Sequence, residues 1–105
     1  MRLPGKIKVG PHEYSVVRKT EEEMPDALGC SRFDTLELCL RKQLRGSKLK
    51  ETFLHEILHL CTYPSFTGAY DEPEKLTSED FVNAVAPLLL QVLQENPKLV
   101  EYLTK

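Results

Sequence analysis

Five consecutive residues, His55-Glu56-Ile57-Leu58-His59, set two imidazoles four positions apart with a carboxylate beside the first. In an α-helix, residues four apart lie one turn from each other on the same face, so the two rings can converge on one small cation. Zinc accepts nitrogen ligands in a tetrahedral arrangement and, in a catalytic site, keeps one position for water. A carboxylate next to the first ligand is placed to take that water's proton as a general base. On a wheel of ~100° per residue counted from Leu49, His55 and His59 fall near 240° and 280° and Glu56 near 340°, whereas Phe53 and Ile57 fall near 40° and 80°. The histidines therefore share a face separate from the apolar stripe. Two ordinary histidines satisfied by neighbours are the alternative, and the amphipathic setting favours the metal.

A third protein ligand is required. Cys61 points ~160° away from His59 on the same wheel and cannot reach the same ion. No histidine follows His59, and His12 lies far upstream in an exposed Pro-His-Glu loop. The remaining donors are the carboxylates Asp71, Glu72, Glu74, Glu79 and Asp80. Glu79 is the choice, because the helical spacing groups it with Ala86, Leu90 and Leu93. Glu79 is thus expected to project from an apolar, core-facing side, where a carboxylate is costly unless paired or bound to metal. A favourable first-turn charge is its ordinary reading. Asp80 reads as part of a capping signature with Thr77. Tyr63, near the histidine face, is a candidate to hydrogen-bond the oxyanion of a tetrahedral intermediate. Ordinary packing is the alternative for Tyr63 and for Tyr70.

These residues need elements to hold them. Ile7–Val9 and Tyr14–Val17 have strand composition, and Phe33–Leu38 alternates apolar and polar residues as a half-buried strand does. Gly29–Arg32 reads as a turn, and Thr20–Glu23 as a connection or a single helical turn. The strands are expected to form one small antiparallel sheet. Ser47 is a plausible cap for a helix over Lys48–Thr62, with Leu49, Phe53, Ile57 and Leu60 on its buried side. Tyr63-Pro64 ends it. Ser65–Lys75 reads as a loop. A second helix runs from Glu79 to about Gln94, with Pro87 expected to kink or restart it. Asn96-Pro97 stops it, and Lys98–Leu103 forms a short terminal helix.

The chain has 105 residues, enough for a single domain spanning 1–105. Fourteen Lys and Arg against 16 Asp and Glu give a net charge of −2, which argues against a general nucleic-acid binder. Arg41, Lys42, Arg45, Lys48 and Lys50 could contact phosphate, but a solvated loop and first helical turn is the simpler reading. The longest apolar stretch, Val85 to Leu90, is too short to cross a bilayer, and no signal peptide is visible, so a cytoplasmic setting is expected. Three cysteines without C-x-x-C spacing do not make a disulfide framework; they read as small buried hydrophobes rather than a metal site.

The H-E-x-x-H motif, the stretch Glu79-x-x-Val82-Asn83-x-x-Ala86-x-x-Leu89-Leu90 and the ending Gln91-Val-Leu-Gln-Glu-Asn-Pro97 together resemble the minimal gluzincin-type zinc metallopeptidases of bacteriophages and prophages. The Glu-x-x-Val-Asn part is also similar to mobile-element peptidases that act on phage-type repressors. The resemblance covers roughly Thr35 to Leu103. It implies an α+β fold, with a small N-terminal sheet packed on the H-E-x-x-H helix and a second ligand helix. It implies His55, His59 and Glu79 as ligands to a zinc ion, Glu56 as base, a protein or peptide substrate and a host bacterial cytoplasm. The expected activity is peptide-bond hydrolysis. The alternative is a zinc-stabilised, inactive module that binds a host or phage protein, in which Glu56 is dispensable.

Overall fold

A computed structural model describes residues 2–62 and 79–105, the last stretch from its backbone alone at 79–81. Its elements are strands β1 (Lys6–Val9), β2 (His12–Lys19), β3 (Gly29–Arg32) and β4 (Glu37–Arg41), then helices α1 (Gly46–Thr62), α2 (Glu79–Glu95) and α3 (Pro97–Thr104). The architecture is α+β, as expected. The strands form one sheet in the order β1-β2-β4-β3.

The sheet is mixed rather than antiparallel. β1 pairs antiparallel with β2 across a two-residue turn, Gly10-Pro11, whose first residue has φ +60. A glycine there suits the tight hairpin. β2, however, pairs parallel with β4, Val17 standing opposite Cys39. The reason lies in β3. The chain leaves β2 through Thr20–Glu23, forms β3 on the far side of β4, and returns along β4 in the direction of β2. Thr20–Glu23 is a single turn closed by reciprocal bonds: Glu23 N donates to Thr20 Oγ1 at 3.1 Å, and Thr20 N donates to Glu23 Oε1 at 2.9 Å. The Thr20 N–H and hydroxyl, both donating to Oε1, hold the Glu23 carboxyl below its ordinary pKa.

The third predicted strand is also displaced. Phe33–Leu36 is the turn joining β3 to β4, and Leu36 has φ 57. The alternation read over Phe33–Leu38 comes from a turn whose apolar ends, Phe33 and Leu36, both fold against the core. Gly29–Arg32, read as a turn, is a strand because pairing with β4 and packing under α1 override its weak propensity.

One face of the sheet carries Ile7, Val9, Tyr14, Leu38 and Leu40 into a core shared with Phe53, Ile57 and Leu60 of α1, Val85 and Val92 of α2, and Leu99 and Tyr102 of α3. Each large side chain so buried contributes about 2–3 kcal/mol. The buried stripe of α1 contains the four residues expected there. α2 differs from expectation. Val85 and Val92 are buried in the core and Leu88 and Leu89 pack against it, while Ala86, Leu90 and Leu93 are exposed. The helix is apolar on nearly every side, so its sequence offers two stripes, and polar bonds decide between them. Gln91 and Asn96 turn toward β1. Asn96 accepts from Lys8 N through Oδ1 and donates to Lys8 O through Nδ2, both at 2.9 Å. Gln91 Oε1 accepts from Gly10 N at 2.8 Å. α2 also continues through Pro87 rather than restarting there, giving up one backbone donor. Among the described residues, no helix is long and apolar enough to cross a membrane.

Candidate metal centre

α1 carries His55, Glu56 and His59 on adjoining turns, and their ligand atoms all lie within 4.8 Å of one another. The two Nε2 atoms are 3.1 Å apart, and the rings meet edge to face with centroids 4.7 Å apart. Two nitrogens bound tetrahedrally to one zinc at ~2.0–2.1 Å stand roughly 3.3–3.4 Å from each other. The pair is therefore already close to the spacing a single ion imposes. His55 is exposed and His59 half-buried, so an ion can enter from solvent.

Glu56 is different: it is only 6% exposed. A buried carboxylate is costly without hydrogen bonds, and here the partner comes from β3. Ser31 Oγ lies 2.8 Å from Glu56 Oε1 and 3.0 Å from Glu56 O. Its single hydroxyl proton is shared between the side chain and the backbone of the same residue. Gly29, two residues earlier, also runs against the Glu56 side chain. A Cβ on Gly29 would stand 2.9 Å from Glu56 Cγ and 3.0 Å from Oε2. The strand can approach the carboxylate only because that position has no side chain.

β3 also ends the sheet on this side. Arg41 N donates to Leu28 O at 3.0 Å, and the alternation of an antiparallel ladder then directs the backbone groups of Gly29 and Ser31 away from β4. A cleft of about 430 Å³ runs beside them, bounded by Leu28, Gly29, Thr52, His55 and Glu56, with Lys48 and Glu51 on its wall. Those two charges form an exposed pair at 3.6 Å, worth little to stability. A second, more apolar cavity of about 290 Å³ adjoins the Gly10-Pro11 turn, and its walls include His12, Phe33 and Leu60 but none of the three clustered residues.

The other expected site residues fall as follows. Glu79 is the first residue of α2, and its side chain lies outside the described residues, as does that of Asp80. Tyr63, Tyr70, Asp71, Glu72, Glu74 and Thr77 also lie outside them. The burial ground for Glu79 does not survive, because Ala86, Leu90 and Leu93 do not face the core. Cys61 is fully buried within the core, and burial pushes its thiol up to about 11; it stands apart from the histidine cluster, as its wheel position requires. His12 is exposed, but on β2 rather than in a loop. The basic segment is not a uniform surface. Arg41 is buried, with Nε donating to Met24 O at 2.8 Å and Nη2 to Pro25 O at 2.6 Å.

Gly29 and Ser31 are the site residues that sequence reasoning misses. Twenty-five positions separate Ser31 from Glu56, and a Gly-x-Ser within a short polar run carries no local signal of chemistry. No family model matches the chain, and neither a curated protein nor a solved structure does so.

Proposed function

We propose that this chain is a zinc-dependent peptidase of the gluzincin type. The observation that carries the reading is the 3.1 Å approach of His55 Nε2 to His59 Nε2 beside a buried, tethered Glu56. His55 and His59 hold the ion. The third protein ligand is assigned to Glu79, the first residue of a helix that packs against α1. When bound, zinc polarises a carbonyl and acidifies water. The chain's own residues do the rest. Ser31 fixes Oε1 of Glu56, which leaves Oε2 to take a proton from the attacking water and return it to the departing amine. The outward backbone groups of Gly29 and Ser31 offer an extended peptide a strand to pair with, next to the histidines.

The test is metal content and turnover in wild type and Glu56→Gln. Wild type should bind one zinc per chain and cleave members of a broad panel of folded and unfolded proteins. Glu56→Gln should keep its zinc and fold but lose at least ~100-fold in activity. Glu79→Ala should lose most of the zinc affinity. Equal inertness of wild type and Glu56→Gln, with zinc bound by both, would transfer the assignment to a metal-stabilised binding module.

A further inference from the structure

The cysteines carry no pairing signal in the sequence, but the sheet pairs two of them. Cys30 on β3 stands directly opposite Cys39 on β4. The bond from Arg41 N to Leu28 O marks that position as a hydrogen-bonded pair, and Cys30–Cys39, two residues along each strand, is of the same kind. Such pairs hold their Cα atoms ~5.5 Å apart, within the ~4.4–6.8 Å across which a disulfide forms. Directly opposed residues also project from one face of a sheet. Here it is the face away from α1, because Gly29 and Ser31, on either side of Cys30, meet Glu56. Cys39 is buried, while Cys30 is partly exposed. The thiols also sense each other: burial chiefly, then Glu37 and Cys30, disfavour ionisation of Cys39, against Lys19 and Arg32.

We propose that Cys30 and Cys39 form a redox pair that closes a cross-strand disulfide on meeting a small-molecule disulfide oxidant. Cys30 is the entry point, being the one solvent reaches. Its thiolate attacks the oxidant RSSR, forming a mixed disulfide and releasing one RSH. Cys39 gives up its proton and attacks the Cys30 sulfur, releasing the second RSH. Two protein thiols lose two electrons and two protons, and RSSR becomes two RSH. In a hydrogen-bonded pair the side chains stand farther apart than in the alternate kind, so the bridge is strained and readily reduced again. It is a switch rather than a staple. Closing it ties β3 to β4 at the residue between the two that hold Glu56. The inference is independent of the hydrolytic reading.

The experiment equilibrates the folded, reduced protein with oxidised glutathione, then quenches, unfolds and alkylates it for mass analysis. The expected product has lost two of its three alkylatable thiols, weighs two hydrogens less, and yields a peptide linking Cys30 to Cys39. Cys61→Ser should close the same bridge. Cys39→Ser should stop at one glutathione on Cys30. Three intact thiols, a lasting glutathione adduct on wild type without an internal bridge, or a bridge that includes Cys61 would each overturn the proposal. The wild-type peptide map decides the matter even if a variant fails to fold.

Discussion

The two ends of the sheet are treated in opposite ways. At β1, the outward N–H and C=O of Lys8 are both taken by the Asn96 amide, and Gln91 takes Gly10 N. A side-chain amide thus stands in for the missing neighbour strand. The exposed lysines at positions 6 and 8 add charge to that edge. At β3, by contrast, α1 packs beneath the strand, and no further strand covers its outer side among the described residues. The residues whose backbone faces outward are the same two that grip Glu56. One edge is capped at Lys8 and Gly10 by polar groups with no part in the candidate chemistry. The other is left open where a histidine pair and a carboxylate converge. Open edges are a hazard that proteins ordinarily blunt, and among the described residues no strand or side-chain amide blunts this one.

Substitutions at the two edges should separate these roles. The largest effect on turnover is expected from Gly29→Val. Its Cβ would stand 2.9 Å from Glu56 Cγ, so the Glu56 side chain must shift. About 1–3 kcal/mol of stability should be lost to overpacking, measured by denaturant unfolding, and turnover should fall toward that of Glu56→Gln. Ser31→Ala comes next. It removes the hydroxyl that holds Oε1, a bond to a carboxylate worth about 1.5–3 kcal/mol. Turnover should fall while zinc content, measured by elemental analysis, stays at one per chain. Ser31→Thr should restore part of the loss. The smallest effect is expected from Asn96→Ala, about 1 kcal/mol, because water can replace the amide at an exposed strand. It should leave zinc binding and turnover unchanged. A loss of zinc in Asn96→Ala, or no change of turnover in Ser31→Ala, would erase the distinction between the edges.

Much of the framework was legible because it depends on local pattern. The buried stripe of α1, the histidine face, the stop at Asn96-Pro97 and the α+β class all follow from helical spacing and turn chemistry. What was not legible depends on distant partners. The parallel pairing of β2 with β4 requires knowing that β3 lies outside β4, and no residue in that connection says so. Sequence does not separate the exposed stripe of α2 from the buried one, because Ala86, Leu90 and Leu93 are apolar like Val85 and Val92. Gln91 and Asn96 settle the orientation, but only once β1 is in place to receive them. The candidate site divides in the same way. His55, Glu56 and His59 announce themselves by spacing, whereas Gly29 and Ser31 acquire meaning only from the approach of a strand distant in the chain.

The asymmetry of the edges also sets how copies of this chain can associate through their backbones. A fold with two open edges is bivalent: each copy can accept a neighbour on both sides, and growth continues into a filament. In this fold the β1 edge is occupied by side-chain amides at Lys8 and Gly10. Two copies meeting β3 to β3 would use the open edge of each, leaving at both ends a strand already occupied by Asn96 and Gln91. Such an encounter closes on itself as a two-fold pair. Gln91 on α2 and Asn96 just after it therefore oppose the pairing of a second copy at Lys8 and Gly10, while among the described residues no strand pairs with the edge bearing Gly29 and Ser31.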